Sequence, residues 1–138
     1  MSERIIRGHP ASGTPITGSA LVAQDNFSAR YDLDRIKGVF SRPSHILHGQ
    51  SYVGRILVLE AAKGGVATAW MLREMAAREM APLALLFNFA NPIMAQGAAF
   101  AGIPVMDRFE EDITRAVRSG ERLTVEPGNG IVRIHGPA

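Results

Sequence analysis

The chain has 138 residues, 46% of them hydrophobic and 20% charged, and it contains no cysteine. That length fits one domain able to bury its own core, and zero Cys excludes disulfides, Cys-ligated zinc, a catalytic thiol and any iron–sulfur cluster held by this chain's own thiolates. The 15 Lys and Arg exceed the 13 Asp and Glu by only two and are scattered, so no basic stripe suited to nucleic acid is present. No apolar stretch reaches the roughly 18 residues of a membrane span, and Met1-Ser2-Glu3-Arg4 lacks the apolar core of a signal peptide. The expectation is a soluble, cytoplasmic, single domain over residues 1–138.

Taken in chain order, Arg4–Gly8 and Gly18–Gln24 read as short strands, joined by the turn-rich His9–Pro15. Asp25–Ser51 has no clean period, and a loop of that length in a compact domain tends to be functional. Phe27, Tyr31, Leu33, Ile36, Val39, Phe40, Ile46 and Leu47 supply the apolar side chains to pin it. Arg55–Leu59 is a near-continuous apolar run, the pattern of a strand buried on both faces. Lys63-Gly64-Gly65 then leads into a helix over Val66–Met80, with Val66, Trp70, Leu72 or Met71, Met75 and Ala76 on a broad apolar stripe. Pro82 ends that helix, and Leu83–Phe87 is a second buried strand. Asn91-Pro92 opens another helix, Asn as the cap and Pro at the first helical position, which stops at Gly102. Ile103–Val105 is a third short strand. Asp107, with Glu110 three residues on, predicts a capped helix running to Arg118. Leu123–Glu126 and Ile131–Ile134 flank Pro127-Gly128-Asn129-Gly130, a hairpin signal. Strand–helix–strand–helix–strand between β segments predicts an α/β fold: a small parallel sheet with flanking helices and a second β layer.

Three local features could carry chemistry. The passage from the buried strand through Lys63, Gly64 and Gly65 to Val66, Ala67 and Thr68 offers free backbone N–H groups, a helix N-terminus, a cation and a hydroxyl. Together these could cradle a carboxylate or phosphate, or they could be a plain tight turn. His45 could act as an acid/base or bind an anion, or simply be a hydrogen-bonded structural residue; His48 lies three residues on, but no third ligand clusters with them to make a metal site. Asp32 and Asp34 are close acidic neighbours whose simplest job is turn-making through their own backbone. Glu110, Glu111 and Asp112 read as helix-start charges. Met71, Met75, Met80 and Met94 look like core filling, and Trp70 is a core or interface anchor. No Ser–His–Asp constellation emerges, so the residues alone favour a binding or assisting domain over a complete enzyme.

The order of several stretches resembles the small, swivelling-domain subunit of the aconitase X family. They are Gly18-Ser19-Ala20-Leu21-Val22, Phe27-Ser28, Asp34, Gly38, the block His45-x-Leu47-x-Gly49-Gln50-Ser51-x-x-Gly54 to Leu59, Lys63-Gly64, Ala81-Pro82, Pro92-Ile93 through Gly97-Ala98, and Gly102 to Asp107. The resemblance covers about Ile5 to Ile134. It implies a β/β/α swivelling domain serving as the small subunit of a hydro-lyase. A large subunit would carry an iron–sulfur cluster or metal and most of the site, and this chain would bind neither. Characterised members dehydrate cis-3-hydroxy-L-proline or mevalonate 5-phosphate, so a small anionic hydroxy-carboxylate is the implied substrate. Backbone at Lys63, Gly64, Gly65, Val66 and Ala67 would hold an anionic group, with Ser28, Arg30 and Asp34 on the facing wall. Acid/base work would fall to the partner, Thr68 or His45.

The departures lie in the same places. The family's Ser-rich turn is replaced by Gly65, Val66 and Ala69, leaving Thr68 as the nearby hydroxyl, and its aromatic-Gly-Gly stretch is replaced by Ala29-Arg30-Tyr31-Asp32. These changes keep two other readings open. One is a non-catalytic binding or regulatory module. The other, a weaker one, is phosphotransfer through His45.

Overall fold

The computed structural model describes residues 3–62 and 66–137. Nine strands and three helices follow in order. They are β1 (Arg4–Arg7), β2 (Ile16–Val22), β3 (Leu33–Asp34), β4 (Val39–Phe40), β5 (Ile56–Ala61), α1 (Val66–Ala77), β6 (Ala84–Phe89), α2 (Pro92–Phe100), β7 (Val105–Met106), α3 (Ile113–Ala116), β8 (Glu121–Glu126) and β9 (Ile131–Pro137). Seven strands pair in the order β1-β9-β8-β2-β5-β6-β7, and β3-β4 form a separate ribbon.

Strand β2 belongs to two arrangements. Ile16–Ser19 pair antiparallel with β8, whereas Ala20–Val22 pair parallel with β5. The parallel half is β2-β5-β6-β7, and the antiparallel half is β2-β8-β9-β1. In β5, Ile56, Val58 and their neighbours Leu57 and Leu59 are all fully buried. Side chains alternate across a strand, so the two pairs enter different cores. Leu57 and Leu59, with Leu85 and Phe87 of β6, pack with Leu72 and Met75 of α1 and Met94 and Ala98 of α2. Ile56 and Val58, with Ala84 and Leu86, pack with Ile6, Leu123, Val125, Val132 and Ile134 of the antiparallel strands and with Ile113 of α3. The antiparallel half therefore covers one face of the parallel sheet, and α1, α2 and the 25–51 segment cover the other. This is the expected β/β/α layering. Each fully buried Leu, Ile or Phe is worth about 1.5–3 kcal/mol relative to exposure, which is why the β5–β6 run reads so strongly in the sequence.

Local chemistry sets the helix ends. The Asn91 side chain accepts from the Ile93 and Met94 N–H groups at 2.8 and 3.4 Å, with Pro92 at the first helical position. Helix α1 ends three residues earlier than the spacing predicts. Glu79 is left-handed (φ 58°), and the Met80 N–H returns to the Met75 carbonyl at 2.9 Å, a Schellman-type closure. The helix expected from Asp107 to Arg118 is a single turn, Ile113–Ala116, capped by Asp112. The reason is competition. The Asp107 carboxylate instead accepts from the Ala90 N–H at 3.0 Å, Arg108 is left-handed (φ 55°), and the Glu110 N–H bonds to the Arg7 carbonyl at 2.8 Å. The predicted stripe of α1 is also corrected. Thr68, Leu72 and Met75 face the core, while Val66 and Trp70 are 63% and 64% exposed.

Helices α1 and α2 pack closely because Gly97 sits against Ala69. A Cβ at Gly97 would fall 2.7 Å from the Ala69 Cα and closer still to its methyl. Gly97→Ala is therefore expected to destabilise by about 1–3 kcal/mol, overpacking outweighing the helix-propensity gain, and to lower Tm by roughly 3–10 °C in a thermal melt. Adding Ala69→Gly should restore most of the loss. An unchanged Tm for the single variant would contradict the close approach.

Candidate functional site

In open parallel sheets, ligands bind beyond the carboxyl ends of the strands. Here those ends are Val22, Ala61, Phe89 and Met106. The segment after β2 does not leave the sheet at once. The Glu60 N–H donates to the Asp25 carbonyl and the Phe27 N–H to the Ala61 carbonyl, both at 2.9 Å, and Phe27 bridges Ala62 in parallel. The chain thus runs beside β5 to its last residue and then turns at Ser28.

That turn is built by Asp32. One carboxylate oxygen accepts from the Ser28 N–H at 2.9 Å, and the Asp32 N–H donates to the Ser28 carbonyl at 3.0 Å. Its other oxygen accepts from Arg42 Nε at 2.5 Å, and Asp32 is 3% exposed. The Arg42 guanidinium reaches Asp25 as well, at 3.7 Å, and its bond to Asp32 raises its already high pKa. Partial burial works against charge on Asp25, but the Asn26 and Ile46 N–H groups, with Arg42, outweigh it. Its carboxyl is held below the ordinary value of 3.8. His45 lies beneath this turn. Its Nδ1 accepts from the Leu47 N–H at 3.0 Å, which assigns the other nitrogen, Nε2–H, as donor to the Asn26 carbonyl at 2.8 Å. The ring stacks on Phe40 at 4.6 Å, and Phe40 meets Tyr52 edge-on at 6.0 Å. Tyr52 is fully buried, and burial pushes its phenol up to about 12.

The predicted site residues divide accordingly. Ser28 is buried in the turn, its Oγ accepting from the Tyr31 N–H at 3.3 Å. Arg30 is exposed at the tip, its guanidinium 5.4 Å from the Tyr31 ring centroid. Val66 and Ala67 are exposed in the first turn of α1, four and five residues after Ala62. Phe27 is paired to Ala62, so Ser28 and the α1 start belong to the same strand end. Lys63, Gly64 and Gly65 lie outside the described residues. Asp34 is taken up locally. It sits in the β3–β4 ribbon, and its carboxylate accepts from the Ile36 and Lys37 N–H groups at 3.0 Å, a turn-making role. Thr68 is 1% exposed on the core face of α1, so its hydroxyl does not front solvent. His45 is 3% exposed with both nitrogens engaged, so it presents none for proton or phosphoryl transfer.

A polar group at the same edge escaped the sequence reading. Asn88, near the end of β6, donates to Glu60 at 3.0 Å and to Asp112 at 2.8 Å, and its carbonyl accepts from the Ile113 N–H at 2.9 Å. The Thr114 hydroxyl lies 3.0 Å from Glu60 and 2.6 Å from Asp112. Those bonds, led by the ones from Thr114 and Asn88, lower the Asp112 pKa. The cluster ties β5, β6 and α3 together. A polar residue closing each apolar strand, Glu60 and Asn88, was the available signal. Among the described residues no three His, Cys, Asp or Glu side chains gather as metal ligands. With no cysteine in the chain, the donor set of a thiolate-held cluster does not fit here.

Comparison with known proteins agrees with this fold. The family described as the aconitase X swivel domain matches residues 5–134, and the chain belongs to that family. The phosphomevalonate dehydratase small subunit of Methanocella arvoryzae is 31% identical over 129 residues, covering 94% of this chain and 98% of the relative. The protein of the same name from Methanothrix thermoacetophila is 33% identical over 127 residues, covering 92% of each. Among solved structures, holo-form aconitase X of Thermococcus kodakaraensis superposes with a TM-score of 0.87 at 24% identity. That match covers 95% of this chain and 98% of the other, and it establishes the shared fold.

The Asp25 carboxylate is depressed in the folded chain, so it adds stability above its unfolded pKa that is lost as pH falls through the lower folded value. Asp25→Asn is expected to be less stable at neutral pH, yet to lose less stability than the parent between about pH 5 and about pH 3. Urea titrations across that range check it. Parallel acid limbs would contradict the assignment.

Proposed function

We propose that this chain is the small subunit of a hydro-lyase that dehydrates a phosphorylated hydroxy-carboxylate of the phosphomevalonate type, forming one wall of a site that a large subunit completes. The observation carrying this reading is the end-to-end match to small subunits named for that reaction, 98% and 92% of whose lengths are covered. An anionic substrate group rests against the start of α1. Backbone N–H groups at the first turn of a helix are unpaired and carry partial positive charge. Val66 and Ala67 contribute them. Arg30 and Ser28 form the facing wall, with Arg30 free at the tip to pair with a second anionic group. Thr68 and His45 are positioning residues behind that wall. Proton transfer belongs to the large subunit, as does an iron–sulfur cluster or metal, since the thiolates are not in this chain. Water loss from a hydroxy-carboxylate needs a base for the proton and an acid for the leaving hydroxyl, and no exposed group of the described wall supplies both.

One observation favours a second reading, a non-catalytic binding or regulatory module. By the resemblance, Gly65, Val66 and Ala69 stand where the family has its Ser-rich turn. The two separate in a reconstitution with the large subunit from the same genome, assaying dehydration of mevalonate 5-phosphate and of cis-3-hydroxy-L-proline. Turnover of the phosphorylated substrate, preferred by at least about 100-fold, is expected, because a site with polar groups arranged for a substrate rejects one that leaves them unpaired. Gly64→Trp in the assembled complex should raise KM at least about tenfold. Turnover of hydroxyproline alone would overturn the substrate class. An assembled complex inactive on both would favour the module, and full activity with Gly64→Trp would remove the cradle.

A further inference from the structure

We propose that the exposed apolar face formed by α1 and α2 is the surface on which the large subunit docks. This rests on the small-subunit reading above and assigns the contact that reading requires. Nine large hydrophobic side chains are exposed among the described residues, and four of them, Val66, Trp70, Ile93 and Phe100, line one groove between the two helices. They are 63%, 64%, 52% and 79% exposed. The close approach of Ala69 and Gly97 makes the floor, and the groove encloses about 420 Å³.

Three observations select the occupant. The first is area. These four side chains leave roughly 500 Å² of apolar surface in water, at the upper end of what a monomer exposes in one patch and most of the ~800 Å² that a stable interface takes from each partner. The second is continuity. Val66 opens α1 at the strand end where the candidate site lies, and it also lines the groove, so a chain that completes the site meets the groove without a gap. The third is that the named small subunits are matched over nearly their whole length, so the rest of such an enzyme is a separate polypeptide that must cover one face. The rim describes that polypeptide's chemistry. The Arg73 guanidinium lies 5.6 Å from the Trp70 ring centroid and has no carboxylate within 4 Å among the described residues. Trp and Arg together form the usual centre of a binding hot spot. The docking segment of the large subunit is therefore apolar, with a carboxylate opposite Arg73.

The test measures assembly with the large subunit from the same genome, by sedimentation velocity over a concentration series. Trp70→Asp and Phe100→Asp should each weaken assembly at least 100-fold with an unchanged thermal melt. Ile36→Asp, at a side chain 79% exposed on the 25–51 segment, should leave it within about threefold. A second readout needs no variant. Trp70 is the only tryptophan, so 5-fluorotryptophan placed in this chain alone gives one fluorine resonance, which should shift and lose solvent exposure when unlabelled large subunit is added. If the parent assembles and both variants assemble equally well, with the resonance unmoved, the face is wrong while the small-subunit reading stands. If the parent does not assemble with the large subunit, both fall. If the parent instead self-associates through Trp70 and Phe100, the occupant is a second copy and the proposal is overturned.

Discussion

The split pairing of β2 is the constraint on which the rest of the molecule depends. Its first four residues hold the antiparallel half and its last three hold the parallel half. One strand therefore fixes how two sheets with different partners lie against each other. Ala20 enters one core and Leu21 the other, so a register slip of one residue would send both side chains to the wrong layer. The same strand aims the chain along β5, where Asp25 and Phe27 extend the ladder to the strand's end. The position of Ser28 follows from that ladder and not from any local preference of its own.

Beyond the ladder, the 25–51 segment has little regular structure, yet its inner residues are as buried as the sheet. Asp32, Arg42 and His45 spend their polar atoms on backbone groups and on one another, while Phe40 and Tyr52 close the apolar side. Removing Arg42 would leave the buried Asp32 carboxylate without its cation, a cost larger than the net worth of the bond itself. In the proposed complex this segment would form the wall facing the strand end, and its internal bonds would spare the complex the entropy of ordering a loop. That also explains why a buried histidine here is a brace. Its polar atoms are already committed to the fold.

Residues whose neighbours are close in the chain were legible in the sequence. The buried run of β5, the Asn91-Pro92 helix start, the hairpin at Pro127–Gly130 and the turn-making carboxylates of Asp32 and Asp34 all follow from local chemistry. The misreadings arise from distant groups. Asp107 looked like a helix cap until Ala90, from β6's far end, took its carboxylate. For His45, left open between an acid/base and a structural role, the bond to the distant Asn26 carbonyl, with Leu47 on the other nitrogen, supports the structural one. Trp70 fits an apolar stripe, and no helical period distinguishes a stripe that faces a core from one that stays exposed. Gly97 could be quoted from the sequence, but its purpose, contact with Ala69, appears only when α1 and α2 are brought together.

In the proposed complex the chain is thus a finished scaffold carrying a site that a second chain completes, with apolar surface running outward from the start of α1. Hydrogen–deuterium exchange on this chain, free and assembled with the large subunit, tests that division most directly. New protection is expected at residues 28–32, 66–73 and 92–100, with β1 and β9 unchanged. Protection confined to β1 and β9, with the two helices exchanging as in the free chain, would contradict it.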